Sequence, residues 1–546
     1  MATIENIARP VGIHSKYHTA RHSLGILRAV IVTCRYRTSA IYLRQKSLSL
    51  QDVIENALTT VILGQPMLRL GIAGEDTKDP TFVHLKTIDM RRMIEWQELI
   101  TPDTRQTENT SSKDGSKKDV DRKHEEARYE ADLFRSLEKH HRLLWEDLTV
   151  KPGWKIVVHH DPRQLNPFQP PGPPGLEREE KGPTDVLLSF DIAFCFHHAY
   201  ADGRSGYIFH KNLQQALNNA TRPPELQNHI FHLPKSPTVP PNMETLIPFS
   251  TSWSFMIRAV WEHLLYPTIA SSFLKHLFNL TNVTDTTWTG APVDASNTMV
   301  HIRMLFQLEG EARLNKILAV CRSHGTSLTG LLHALIGRAL ARREGNRSFR
   351  SVTPIALSSY VDRSIAGAAF TPGTTIHCLV TALTCDHDLD SVQRLGDGGT
   401  GTWAFAKNMT ARLRAKAASL PRDDILALSP LVGDWHEHFR GKFGKARESS
   451  WELSNLGSLS AVDAGVPNST TGSGDGRWFI DRALFTQGAK ATGAALNVSV
   501  SGVVGRGVWA TVSWQDGIVS IDLAEAIASD VQAWIDELGE TGRLED

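Results

Sequence analysis

The sequence has few cysteines, no long apolar run and no net charge, and each of these absences removes a class of function. Five cysteines (Cys34, Cys195, Cys321, Cys378 and Cys385) are scattered through 546 residues with no CxxC pair. That pattern excludes a disulfide scaffold and a zinc ribbon, and it predicts free, buried thiols in a reducing compartment, the cytoplasm. No stretch of about 18 to 20 apolar residues occurs, so no transmembrane helix is expected. The opening MATIENIARPVGIHSKYH lacks the apolar core of a secretory signal. Lys+Arg and Asp+Glu both number 59. The chain therefore carries no basic footprint for nucleic acid. There is no Walker loop and no GxSxG elbow. GVVGRG at 502–507 partly imitates a dinucleotide loop, but it lies among strands and reads as hairpin glycines.

What is present has room for two units of similar size. Residues 22–35 read as a strand and 48–63 as an amphipathic helix, stopped by Gln65-Pro66. Residues 101–128 are charged and polar and are expected to be a mobile insertion, as is the proline-rich stretch 161–183. A first lobe is expected over 1–225, a linker over 226–290 and a second lobe over 291–546. Within the linker, WSFMIRAVWEHLLYPTIASSFLKHLF (253–278) reads as a helix packed on the body, the sharper alternative being a membrane-surface contact. The second lobe repeats the order of a strand (297–309) followed by helices (311–325 and 327–344), so the two halves look alike in plan. It ends in strands over 493–502 and from 507 to 523, with a hairpin turn at Asp516-Gly517, and a final helix over 523–538.

The chemistry concentrates in FCFHHAYADGRSG, residues 194–206, between an apolar strand and an amphipathic helix. A neutral imidazole accepts a proton near cellular pH, and a histidine at a strand end is held rigidly while facing past the sheet. Strand alternation sends His197 and His198 to different faces, which suits a general base and not a shared metal ion, so no metal is expected. The turn can bring Asp202 back toward His198 as an anchor that accepts hydrogen bonds from backbone or from an arginine. Gly203 lets the chain turn tightly at the helix start. The plainer reading makes His198 an ordinary corner residue and Asp202 an ordinary helix cap.

HHAYADG resembles the HHxxxDG motif of the chloramphenicol acetyltransferase-like superfamily, which includes BAHD acyltransferases and peptide-synthetase condensation domains. ARPVGIHSKYHTARHSLGILRAVIVTCRYR, LLWEDLTVKPGWKIVVH and WELSNLGSL narrow the resemblance to fungal alcohol acetyltransferases, from about residue 9 to about 520. The resemblance implies a two-lobed α/β (α+β) fold with mixed sheets and a tunnel between the lobes. It implies acyl-CoA, most simply acetyl-CoA, as co-substrate, a small-molecule acceptor and no bound cofactor. His198 would be the base and Asp202 a structural partner. His197 and Gly203 would support them, and Ser454 and Asn455 would reach the tunnel from the other lobe. In TPIALSSYVDR the family's usual arginine partner for the aspartate is replaced by Ser358, with Arg363 five residues on as a candidate substitute. The expected activity is O-acyl transfer to an alcohol or secondary metabolite by a monomer. The alternatives are N-acylation, condensation of carrier-bound substrates, and a binding protein that has lost catalysis.

Overall fold

The computed structural model describes residues 6–45, 48–101, 115–165, 187–219, 226–234, 237–260, 286–396, 398–460, 477–488 and 490–544. Two mixed sheets organise them. The first runs, in spatial order, Phe479–Gln487, Val30–Ser39, Leu187–Phe196, Trp154–His160 and Ile94–Glu98. The second runs Val300–Glu309, Gly507–Gln515, Ala494–Val503, Ser449–Leu459, Phe349–Ala356 and Val380–His387. The expected two-lobed α/β plan is met, each sheet carrying its own apolar core. Val32, Ile156, Ile192 and Phe194 are buried in one, and Leu335, Trp451, Val512 and Ile535 in the other.

The first sheet is not built from the first half alone. Phe479–Gln487 comes from the far end of the sequence and pairs antiparallel with Val30–Ser39. It is an edge strand, and its outer carbonyls would be unpaired. Hydroxyls of the second sheet reach across instead: Ser501 donates to Ala483 O (2.8 Å), Thr511 to Phe485 O and Ser513 to Gln487 O (both 2.7 Å). One strand thus binds the lobes together and crosses the boundaries expected at 225 and 291.

Two local expectations change, and the reading of GVVGRG as hairpin glycines is met. Residues 115–128, read as part of a mobile insertion, open the helix Gly115–His141. Its Glu, Lys and Arg residues are good helix formers, and Tyr129, Leu133, Phe134 and Leu137 bury its inner face. The turn at Asp516-Gly517 makes no hairpin, because Ser520 caps the helix Ile521–Thr541 by accepting from Leu523 N. The hairpin lies at GVVGRG, where Gly505 takes a positive φ of 74° between Ala494–Val503 and Gly507–Gln515. Residues 102–114, 166–183 and 261–278 lie outside the described residues. Of the aromatic-rich segment only Trp253–Val260 is described, as a helix with Trp253 and Ile257 exposed. All five cysteines are free and buried.

Candidate active site

The motif strand Leu187–Phe196 ends before the histidines, and residues 198–200 turn into the helix Gly203–Asn218. That helix starts where it does because Asp202 caps it, Oδ1 accepting from Ser205 N at 2.8 Å with Ser205 Oγ 2.9 Å away. Asp202 Oδ2 accepts from Leu379 N at 3.0 Å, across to the second lobe. The Ser205 hydroxyl makes a 2.8 Å bond to His377 O. The aspartate thus staples segment 377–379 to the motif turn, and burial raises its carboxyl above the usual range. Arg363 is not among its hydrogen-bond partners; it heads the separate short helix Arg363–Ala366. Backbone N–H groups take the place of the expected arginine.

Gly203 is needed for a different reason from the tight turn anticipated. It is not among the glycines of positive φ. A Cβ there would lie 2.5 Å from Leu456 Cδ2. Leu456 belongs to the SNLG segment, which is a β-bulge: the pairing register with Ala494–Val503 shifts between Asn455 and Ser458. Gly457 supplies the positive φ of 73°. Asn455 Oδ1 accepts from Gly457 N (2.8 Å) and its Nδ2 donates to Thr329 Oγ1 (3.1 Å), so Asn455 holds the bulge and is committed away from the cavity. Ser454 lines the cavity.

The cavity, of about 1600 Å³, is walled by both lobes, including His18, His198, Ser454, Gln487 and Lys490. His198 is half-buried at its wall. Its ring stacks on that of His18 with centroids 4.1 Å apart. Its Nδ1 faces Cys378 Sγ at 3.6 Å, and no partner among the described residues engages Nε2. Burial, then the Arg21 and Lys490 charges, hold the imidazole neutral, its pKa lowered to about 3.

His197 is sealed inside. It accepts from Ala199 N at Nδ1 (2.9 Å), which places its proton on Nε2, donated to Glu75 at 2.6 Å. His22 accepts from Trp145 N at Nε2 (3.1 Å) and donates Nδ1–H to the same carboxylate at 2.9 Å. Burial raises the Glu75 carboxyl, but its interactions with His197 and His22 outweigh that and lower its pKa to about 2. Both tautomers put a proton, not a lone pair, toward the carboxylate, so His22, Glu75 and His197 form a hydrogen-bonded network and not a metal site.

His18 and His22 come from the helix Ile13–Ser23, and Glu75 from the turn after Leu70–Ala73. Sequence reasoning passed over all three. His14, His18 and His22 recur every fourth residue, which places them on one helical face and was a legible signal. Glu75 left none, because its partners are remote in sequence.

The family model for alcohol acetyltransferase matches residues 184–349, a span that includes the motif. A probable alcohol acetyltransferase of Fusarium pseudograminearum is 27% identical over 557 residues, covering 99% of this chain and 97% of the relative. Another, of Aspergillus fumigatus, is 23% identical over 459 residues, covering 82% and 81%. Among solved structures, a trichothecene 15-O-acetyltransferase from Fusarium sporotrichioides has a TM-score of 0.58 at 12% identity, covering 96% of this chain and 93% of that one. A condensation domain of the monacolin K polyketide synthase has a TM-score of 0.52 at 11% identity, covering 98% of each. In fold the chain is like these condensation and acetyltransferase structures, and in sequence it is similar to the probable alcohol acetyltransferases of the two fungi.

Proposed function

We propose that the protein is an acyl-CoA-dependent O-acyltransferase in which His198 is the general base. One observation carries the reading: the second histidine of the motif lines a large cavity between the lobes, neutral and with Nε2 unengaged among the described residues, while His197 and Asp202 of the same turn are both hydrogen-bonded. Nε2 takes the proton of the acceptor hydroxyl as its oxygen attacks the thioester carbonyl. The tetrahedral adduct collapses, expelling the CoA thiolate, which takes the proton back from the imidazolium. The products are an ester and CoA thiol, and no covalent enzyme intermediate forms. Asp202 positions the turn. Acetyl-CoA is the simplest donor, in keeping with the acetyltransferase relatives. The free buried cysteines, and the absence of any helix long and apolar enough to cross a membrane among the described residues, support action in the cytoplasm. The buried contact between the lobes supports a monomer.

The test is release of CoA thiol from acetyl-CoA across aliphatic alcohols, aromatic alcohols, amines and hydroxylated metabolites, in the wild type and His198→Ala. Acceptor-dependent release that disappears in the variant is expected. Release confined to amines would make the protein an N-acyltransferase. No release with any acceptor or longer acyl-CoA would sink the reading and point to a carrier-bound donor or to binding alone.

A further inference from the structure

The buried cations around the cavity each have an ion-pair or hydrogen-bond partner among the described residues, with one exception. Lys490 is paired with Glu452, Arg350 with Asp386, and Lys416 with Asp424 at 2.8 Å. Arg447 gives its N–H groups to Lys490 O and Gln515 Oε1. Arg21 has no such partner. It is 6% exposed, it lines the cavity, and its Nε is sealed without an acceptor. Its only polar engagement among the described residues is a position 5.0 Å over the Tyr17 ring. The cavity carboxylate Glu452 is already held by Lys490, which itself feels the Arg21 charge. Arg21, Lys490 and Glu452 thus leave one uncompensated positive charge beside His198.

A buried cation without a counter-charge is costly, and in folded proteins it is matched by an anion or removed. The transient oxyanion of acyl transfer needs no permanent charge, because neutral N–H donors serve it. A full guanidinium left open next to the base instead matches a fixed anion that arrives with a reactant. CoA phosphates do not meet this need, because the pantetheine arm separates them from the thioester that must lie at His198.

Resting on the acyl-transfer reading above, we propose that Arg21 binds the carboxylate of a reactant, so that the enzyme acts on a hydroxy acid or transfers a carboxylated acyl group. The guanidinium's planar fork suits a carboxylate. The arrangement also couples binding to chemistry. Arg21 is one of the charges that depress the basicity of His198. A bound carboxylate offsets that charge, so the base strengthens when the anionic reactant is seated.

The experiment has two arms. In the first, acetyl-CoA is paired with hydroxy acids of increasing length and with their methyl esters. In the second, malonyl-CoA is compared with acetyl-CoA on a neutral alcohol. The wild type is expected to favour the carboxylate form roughly 10- to 100-fold in kcat/KM in one arm, which identifies the reactant that bears it. Arg21→Gln should erase that preference and Arg21→Lys should retain part of it. No preference in either arm, or a preference that survives Arg21→Gln, overturns the proposal. So does an Arg21→Gln loss that is equal for acid and ester, which would assign Arg21 to the oxyanion. A thermal-shift measurement separates this from a failure of acyl transfer itself. The favoured carboxylate should raise the melting temperature of the wild type but not of Arg21→Gln, whether or not turnover is seen, and no shift in the wild type counts against the site.

Discussion

His197 and His198 are neighbours in sequence and opposites in surroundings. His197 is closed in by Ala199 N and Glu75, with both ring nitrogens spoken for. His198 has a ring stacked on one face, a sulfur beside Nδ1 and a cavity in front. The letters of the motif do not distinguish them. Their partners do: one imidazole has both nitrogens hydrogen-bonded, and the other has Nε2 unengaged among the described residues. A strand end makes this division possible, because the chain changes direction between the two residues.

The comparison can be broken first at His198. His198→Ala should lower turnover about 10²- to 10⁴-fold, equivalent to roughly 3–5 kcal/mol of barrier, with a urea midpoint close to wild type. A loss of both in parallel would mean the residue serves the fold and not the chemistry. Asp202→Ala comes next. It removes a helix cap and strands Leu379 N–H in the interior, for a combined loss of about 2–4 kcal/mol of stability, with a rate loss that follows from the loosened turn. Equilibrium unfolding checks it. His197→Ala should do the reverse of His198→Ala, costing about 1–3 kcal/mol in the same assay by leaving Glu75 one donor short, while any residual protein keeps more turnover than His198→Ala.

The smallest effect sharpens the contrast by pH. His141 and His333 are buried neutral with pKa values lowered to about 3, and His22 and His210 to about 4. The unfolded chain titrates its histidines near ~6.5. Between these values the unfolded state binds more protons, so stability falls as pH drops below about 6.5, by up to roughly 1.4 kcal/mol per pH unit for each such histidine. Glu75, with its pKa lowered to about 2, adds a second loss as pH falls from the ordinary glutamate range toward 2. Urea midpoints at pH 7.5, 6.5 and 5.5 should decline in that order, and a flat series would mean these rings are not held neutral. The pH profile of kcat/KM should show no acid limb near 6.5, because His198 is neutral well below that pH.

The motif strand, the helix after it and the corner between them were legible because a strand's alternation and a helix's face are local patterns. The bulge at SNLG was legible as a landmark but not in its roles. Ser454 reaches the cavity and Asn455 does not, because the register shift depends on a partner strand some forty residues away in sequence. The helix Ile13–Ser23 was missed since its buried face is histidine and arginine, not aliphatic. The Asp202 partner was sought as an arginine side chain, and the structure answers with a backbone N–H that leaves no trace in residue identity. Glu75 and the pairing of Phe479–Gln487 into the first sheet are long-range and have no local pattern to read.

That late strand has a consequence for how the molecule is made. Val30–Ser39 leaves the ribosome early, yet the strand that covers its open edge is among the last to emerge. Until then the first lobe presents an unpaired strand to its surroundings, with a closing contact that is very distant in sequence. The two lobes are therefore not separable pieces. Cut before residue 479, the chain loses the seam of the second lobe and leaves the first with a raw edge, so a strand synthesised late is the one that commits the whole protein to its shape.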